Sequence, residues 1–470
     1  MVHSSQFTLD QFAPIAVYHK LKSHFNNEVS FLFESAGSSE GNYSFIIIGA
    51  QERLVFKDNI TRYTDANAQT RVIEEDPFSF LKQYYAKLDQ KAYRAKTQEL
   101  GIGYIDGFIG YIGYDMVKVF EPVLASTMDA LDDELETPDL DLIRPKLIVV
   151  YSHKTHKLTL VSSMDDMANN FKEIEEELKS SYDYIPLTPI STQVEGSFAF
   201  SKEKFFNMVA KSKEMVRSGD VFQILMANRY TALAEVDPFS FYRILRTKNP
   251  SPYMFLLEFE DFSIVGSSPE VMIRLQDGEL LLKPIAGTRK RGATIAKDME
   301  MEEEMVNDPK ECAEHLMLID LGRNDVSRVA KTGSVQVHDM MHVEKYSHVM
   351  HMVTDVIAEL REDKDMFDLF AATFTAGTMT GAPKIRAMQL IAEYEEIKRG
   401  FYAGAIGYFG FDGNMDSAIT IRTSMIKPDK IVFQAGAGVV ADSVAELEYL
   451  EVKNKLGALL SSLDDLKANS

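Results

Sequence analysis

The chain of 470 residues contains no tryptophan and one cysteine, Cys312. A single thiol excludes an intramolecular disulfide and a cysteine-rich zinc site, and it suits a reducing compartment; a cytoplasmic location is expected. Cys312 lies in ECAEHLML, a helical pattern with no glycine elbow before it, so it reads as a packed small side chain. No run of 18 apolar residues occurs, so no membrane-spanning helix is expected. The opening MVHSSQFTLDQF has neither a basic start nor an apolar core, so it is not read as a secretory signal. Cations are also short: 50 Lys and Arg face 71 Asp and Glu, a net charge of −21. That field repels nucleic acid and anionic membranes, and neither is expected as a partner. An anionic small molecule would need a local cationic patch or a metal ion. No HExxH and no histidine cluster supports zinc or iron.

What is present describes a globular α+β chain. The length allows two to four average domains or one large body with a single cleft. Short strands are expected at 31–35, 44–50, 53–57 and 59–63, then a helix over 76–88 capped by Asp76 with Pro77 at its first position. The glycines of GYIDGFIGYIGYD have the wrong spacing for a dinucleotide fingerprint and suit a strand packed closely on a neighbour. Residues 121–141 read as an acidic surface loop, 146–152 and 157–163 as a hairpin, 168–181 as a polar helix, and 180–195 as a linker. The second half is more regular. Asp277-Gly278, Asp412-Gly413 and Pro428-Asp429 mark hairpins, and helices are expected at 200–218, 309–321, 383–396 and 443–463. Strands joined by short turns predict antiparallel sheets with helices on their outer faces. Two regions are expected, 1–195 and 196–465, interleaved in one body.

Several stretches could carry chemistry. LLKPIAGTRKRG, at 281–292, opens as a strand and breaks at Gly287-Thr288 beside Arg289, Lys290 and Arg291. It is either a buried strand with a solvated basic tail or a cradle for an anion. Glu448, Glu451 and Lys455 fall within an arc of about 60° on the C-terminal helix. They form either an exposed i,i+4 pair or, with Glu314 and Glu311 of a second helix, a sparse magnesium site. Glu311 also suits the start of its helix, after Asp308 and Pro309. Glu446 fits a capping box with Ser443. In FTAGTMTGAPKIRAM, Thr380 is expected to cap a helix near Pro383; in QAGAGVVADS, Gly436 and Gly438 let backbone N–H groups approach an anion. His315, His348 and His351 are each a core histidine or an acid–base group. His348 and His351 share a face on a helix but not on a strand.

KPIAGTRKRG, AEHLMLIDLGRND, YSHVMH, TAGTMTGAPKIRAM, GAIGYFG and AGAGVVADSVAELEYLE together resemble the chorismate-utilising enzymes. That family includes anthranilate synthase component I, aminodeoxychorismate synthase component I, and the isochorismate and salicylate synthases. The resemblance is strong over about 196–460 and looser before it. It implies two large, mainly antiparallel sheets packed as a sandwich with helices outside. Where aminodeoxychorismate synthases carry a nucleophilic lysine, this chain has Ala286, as in anthranilate synthases. Where isochorismate synthases carry a water-activating lysine, it has Gln223. Both differences remove a competing nucleophile or base and leave ammonia as the nucleophile.

By resemblance, Glu270 is the acid for the departing hydroxyl and His351 serves the same chemistry. Gly287, Thr288 and Thr378 line the ring. Tyr402, Arg422 and Lys455 meet carboxylate charge, with the backbone of Gly436, Ala437 and Gly438. Mg²⁺ is expected on Glu314 and Glu451, with Glu448 and Glu311 close by. FLFES and NYSF, with Glu34, Ser35 and Ser44, and NPSPYM, with Pro252, Tyr253 and Met254, resemble a tryptophan-inhibition pocket; Phe33 departs from the usual leucine. The implied partners are chorismate, ammonia, tryptophan as inhibitor, and a separate glutamine amidotransferase subunit, because this chain carries no amidotransferase signature. A hetero-oligomer is therefore expected. The missing tryptophan would benefit an enzyme needed when that amino acid is scarce.

Overall fold

Strand-face alternation organises the molecule, and it is clearest in the long Tyr43–Lys57 strand, which pairs along its length with Leu140–Ser152. Their register shifts between Ala50 and Glu52, where Pro145, which lacks a backbone donor, stands opposite. The structure, a computed structural model, describes residues 2–26, 28–35, 42–190, 196–346 and 349–468. Its strands form antiparallel ladders that continue from the two ends of this pair into two layers. From one end the ladder runs through Ser30–Glu34, Tyr253–Glu258, Ser263–Ser268, Thr423–Lys427 and Lys430–Val439 to Gln223–Leu233. From the other it runs through Gly107–Ile112, Ala405–Gly410, Met415–Ile419, Val271–Gln276 and Glu279–Leu282 to Val349–Glu359. Strands from 1–195 join those from 196–465 once in each layer, where Ser30–Glu34 pairs with Tyr253–Glu258 and Gly107–Ile112 with Ala405–Gly410.

The fold is α+β, and the sandwich follows from period two. Phe31, Ile47, Leu225, Leu257 and Val432 share a core with Ile109, Ile143 and Ile273 of the second layer. Their neighbours Leu32, Ile46, Met226, Leu256 and Phe433 point the other way and pack beneath helices that supply Val17, Ile174, Met208, Phe241, Leu390 and Leu456. Outside the second layer, Phe78 of Pro77–Tyr85 stacks on Phe370 of Met366–Thr373, with ring centroids 5.4 Å apart.

Local signals fare unevenly. Asp76 accepts the N–H groups of Phe78 and Ser79 at its helix start. Asp277 and Gly278 take φ of 51° and 88° in the two-residue turn between Gln276 and Glu279. Other expectations are corrected. The Thr380 hydroxyl donates to Ala376 O, and Pro383 is the N-cap of Lys384–Glu395. Ser443 accepts the Val440 N–H, so its capping box with Glu446 does not form. The polar helix divides into Asp165–Asn169 and Phe171–Lys179. Residues 121–141 are no exposed loop, since Leu124, Met128 and Leu135 are buried. Helices Pro238–Lys248, Ile295–Asn307 and Met366–Thr373 were not expected. In the linker, 191–195 lie outside the described residues.

Gly107 has φ of +140°, and a Cβ there would lie 2.1 Å from Phe409 O across the ladder. Gly107→Ala should therefore lower the urea midpoint by roughly 2–4 kcal/mol of stability, since it combines strained backbone with a backbone clash. An unchanged midpoint would refute the close approach.

Candidate active site

Glu270 sits between Ser263–Ser268 and Val271–Gln276, its backbone carbonyl accepting the Ile419 N–H at 3.0 Å. The Thr378 hydroxyl donates to Glu270 Oε1 at 3.1 Å. Burial pushes the carboxyl up to about 7, against the pull of Thr378, Lys455 and Arg422. Glu270 thus keeps its proton to far higher pH than an ordinary carboxyl, and both its forms are accessible near neutral pH.

His351 resolves one open question: it lies in the strand Val349–Glu359, directly opposite Thr288. His348 lies outside the described residues. His351 Nδ1 is 3.0 Å from Gly287 O and 3.1 Å from Thr288 Oγ1. A carbonyl only accepts, so Nδ1 carries the proton and Nε2 is the basic nitrogen. Burial holds this imidazole below its ordinary range, opposed by the Gly287 carbonyl and Glu344 and reinforced by Arg422. Gly287 makes the bulge that separates Ala286 from Thr288, with φ of +62°. His315 is a core residue: Nε2 is 2.7 Å from the Thr354 hydroxyl, and burial pushes its pKa down to about 4.

Arg422 has φ of +51°, an unusual conformation for a side-chain-bearing residue. Its guanidinium makes no hydrogen bond or ion pair among the described residues. Burial disfavours its charge, while Tyr402, Glu451 and Glu270 support it. Tyr402 is buried, and the Arg399 guanidinium lies 5.8 Å from its ring centre. Lys455 Nζ donates to Gly436 O at 2.9 Å and pairs with Glu451 at 2.7 Å. Gly436, Ala437 and Gly438 lie opposite Ala227, Met226 and Leu225. A Cβ on Gly438 would be 2.7 Å from Gln223 Nε2, and one on Gly436 2.5 Å from Leu225 Cδ2. At Gly436 the backbone of the neighbouring strand also crowds that position, with Met226 O at 2.9 Å, whereas at Gly438 only the end of the Gln223 side chain would have to move.

Helices Pro309–Ser327 and Ala445–Ala468 bring the four expected carboxylates into one field. Burial, then Glu311 and Glu451, raises the pKa of Glu314; burial and Glu451 raise that of Glu448, against Ser443. Glu311 pairs with Arg289 at 3.0 Å, and Arg291 pairs with Asp298 at 2.7 Å, so two cations of the basic tail are engaged by helices. Glu314 has no hydrogen bond or ion pair among the described residues. No three His, Cys, Asp or Glu side chains among the described residues form a closed metal cage. The donors are all oxygen, and Glu314 and Glu448 have no ion pair among the described residues while Arg289 and Lys455 pair with Glu311 and Glu451; this partly compensated set fits a hard divalent cation that keeps other ligands.

A separate cavity of about 750 Å³ is lined by Glu34, Ser35, Pro252, Tyr253 and Met254, among others. Glu34 accepts from Tyr242 at 2.7 Å and Arg246 at 2.8 Å. Ser44 is not part of that lining; its hydroxyl is 2.8 Å from His153 Nε2.

Sequence reasoning missed the buried pair Arg399 and Glu395, 2.6 Å apart. Arg399 also donates to Met379 O at 2.8 Å and Leu225 O at 2.9 Å. The i,i+4 spacing was visible, but it ordinarily marks a solvated pair.

The Glu270 carboxyl is raised on folding, so its contribution to stability is fully present below pH 4.5 and lost as pH rises through about 7. The loss is on the order of 3 kcal/mol. Glu270→Gln should therefore gain thermal midpoint over the parent between pH 5 and pH 8, measured by calorimetry. A constant difference would exclude the raised pKa.

The family model for chorismate binding enzymes matches residues 28–461. Anthranilate synthase component 1 of Aquifex aeolicus is 40% identical, over 98% of this chain and 94% of the relative. The component 1 of Bacillus subtilis is 38% identical, over 97% and 91%. The crystal structure of anthranilate synthase component I from Streptococcus pneumoniae superposes with a TM-score of 0.76 at 33% identity, covering 90% of this chain and 93% of that one. The menaquinone-specific isochorismate synthase MenF of Escherichia coli shares the fold, with a TM-score of 0.73 at 20% identity, covering 98% and 94%. The chain belongs to the chorismate-binding enzymes, within their anthranilate synthase component 1 family.

Proposed function

We propose that the chain is a lyase, the aminase component of an anthranilate synthase. It converts chorismate and ammonia to anthranilate, pyruvate and water in tryptophan biosynthesis. A partner glutamine amidotransferase subunit supplies the ammonia, and tryptophan inhibits. The observation that carries this reading is a buried acid, Glu270, and a neutral imidazole, His351, beside an unpaired Arg422. Neither neighbouring position offers a competing lysine, since they hold Ala286 and Gln223.

Arg422 and Tyr402 hold the enolpyruvyl carboxylate, Arg422 with a two-bond fork, and Lys455 adds a second cation. Gly287, Thr288 and Thr378 line the ring, and the Gly436–Gly438 backbone meets the ring carboxylate. Mg²⁺ on Glu314 and Glu451, with Glu448 and Glu311 close by, neutralises that carboxylate when bound. As ammonia adds to the ring, Glu270 gives its proton to the departing hydroxyl, which leaves as water. His351 Nε2 suits the proton transfer that accompanies loss of pyruvate and aromatisation.

Purified protein with chorismate, Mg²⁺ and ammonium at alkaline pH should yield fluorescent anthranilate and equimolar pyruvate, and a chelator should abolish both. Accumulation of an aminated ring that retains the enolpyruvyl group would overturn the assignment. Met254→Ala removes an apolar wall of the large cavity, so the tryptophan concentration for half-inhibition should rise by about tenfold or more. Unchanged inhibition would remove Met254 from the inhibitor site.

A further inference from the structure

Beside Glu270 lies a cavity of about 30 Å³, walled by Leu282, Pro284, Leu318, Gly322, Asp325 and Thr378, among others. This is room for one water molecule, which takes up roughly 30 Å³ in the liquid. Asp325 is buried on the helix Pro309–Ser327, and Lys384 Nζ holds its Oδ2 at 3.0 Å. Asp325 Oδ1 has no hydrogen bond among the described residues. Two buried carboxyl groups thus face one compartment of water size. The mechanism above assigns no use to it.

The acid role of Glu270, on which this inference rests, creates a need. Each turnover breaks a ring C–O bond and moves the Glu270 proton to the departing oxygen, leaving a carboxylate that must be reprotonated. Substrate covers Glu270 from the cleft side, because the acid must touch the departing hydroxyl. We propose that Asp325 recharges Glu270 through a water held in the cavity between them. A proton from solvent lands on Asp325 and passes to that water while the water gives one of its own to Glu270, and Asp325 returns to its ion pair with Lys384. Arg328 and Glu121, which pair at the exposed end of the helix, are close enough to act on Asp325. The charged groups acting on the pair are Lys384, Arg328 and Glu121 at Asp325, and Lys455 and Arg422 at Glu270. Lys283, also in the cavity wall, is neutralised by Glu344 and Asp355.

Gly322 keeps the compartment open. Glycine is disfavoured against alanine inside a helix, yet it stands in the interior of this 19-residue one. A Cβ there would lie 2.7 Å from Leu282 Cδ2 and 3.7 Å from Pro284 Cγ, both in the cavity wall.

Asp325→Asn removes the donor and Gly322→Ala narrows the compartment, and neither touches the substrate. Each should lower kcat by about tenfold or more, with KM for chorismate within about twofold, and enlarge the solvent deuterium isotope effect on kcat. Parental kcat in both variants, or a fall with an unchanged isotope effect, would overturn the relay. If Asp325→Asn fails to fold by circular dichroism, because Lys384 loses its counter-charge, Gly322→Ala decides by the same readouts. Parent protein that makes no anthranilate would instead refute the proposed reaction.

Discussion

The catalytic half of the molecule depends on the buried pair between Glu395 and Arg399. Taking two charges out of water costs several kcal/mol each and is offset only when their hydrogen-bonding positions are filled. Here they are filled by elements that must lie together. Glu395 accepts the Ala227 N–H, while Arg399 reaches Leu225 O and Met379 O and lies over the rings of Tyr114 and Tyr402. One ion pair thus fixes the helix Lys384–Glu395 against Gln223–Leu233, whose ladder carries Gly436 and Gly438. It also fixes the turn that contains Thr378, whose hydroxyl reaches Glu270. The pair supplies neither the proposed acid nor the proposed base, yet it holds the turn of Thr378, the strand beside Gly436 and Gly438, and the ring of Tyr402.

The site it frames holds uncompensated charge of both signs. Arg422 lacks an anion, and Glu314 lacks a cation among the described residues. Each is disfavoured by burial: the arginine is less basic than usual and the carboxyl more so. In a protein of net charge −21 such a site would reject an anion at a distance. A carboxylated substrate arriving with a divalent cation answers both deficits at once. This is why the proposed metal and substrate belong together and why a closed cage of protein ligands is not needed. Positive φ at Gly287 and Arg422 marks the strained backbone that aims these groups inward.

Local chemistry was legible where it is local. Asp76-Pro77 starts a helix and Asp277-Gly278 turns a hairpin because the responsible atoms lie within four residues. The motifs around Gly287, His351 and Gly436 revealed the family and its fold because they are long and ordered. Thr380 and Ser443 misled because a hydroxyl before a helix can bond to several backbone groups, and tertiary packing chose others. The Arg399 pair was hidden for the complementary reason: its meaning lies in Leu225 and Met379, which are distant in sequence. Met366–Thr373 was missed because its apolar side chains fill a core on more than one side, leaving no helical stripe to detect.

The two cavities meet at residues 269–271, between two strands of the sandwich. Pro269 lines the large one, Glu270 the small one beside Thr378, and Val271 both. The backbone that walls the proposed inhibitor cavity at Pro269 and Val271 is therefore the backbone that carries the proposed acid. Tyr253, in the large cavity, lies opposite Ser268, whose hydroxyl accepts the Glu270 N–H at 3.3 Å. An occupant that displaced Tyr253 or Pro269 would therefore press on the residue whose carboxyl accepts from Thr378 at 3.1 Å. The inhibition proposed above would need no long pathway, because the two cavities share residues 269–271 as a common wall.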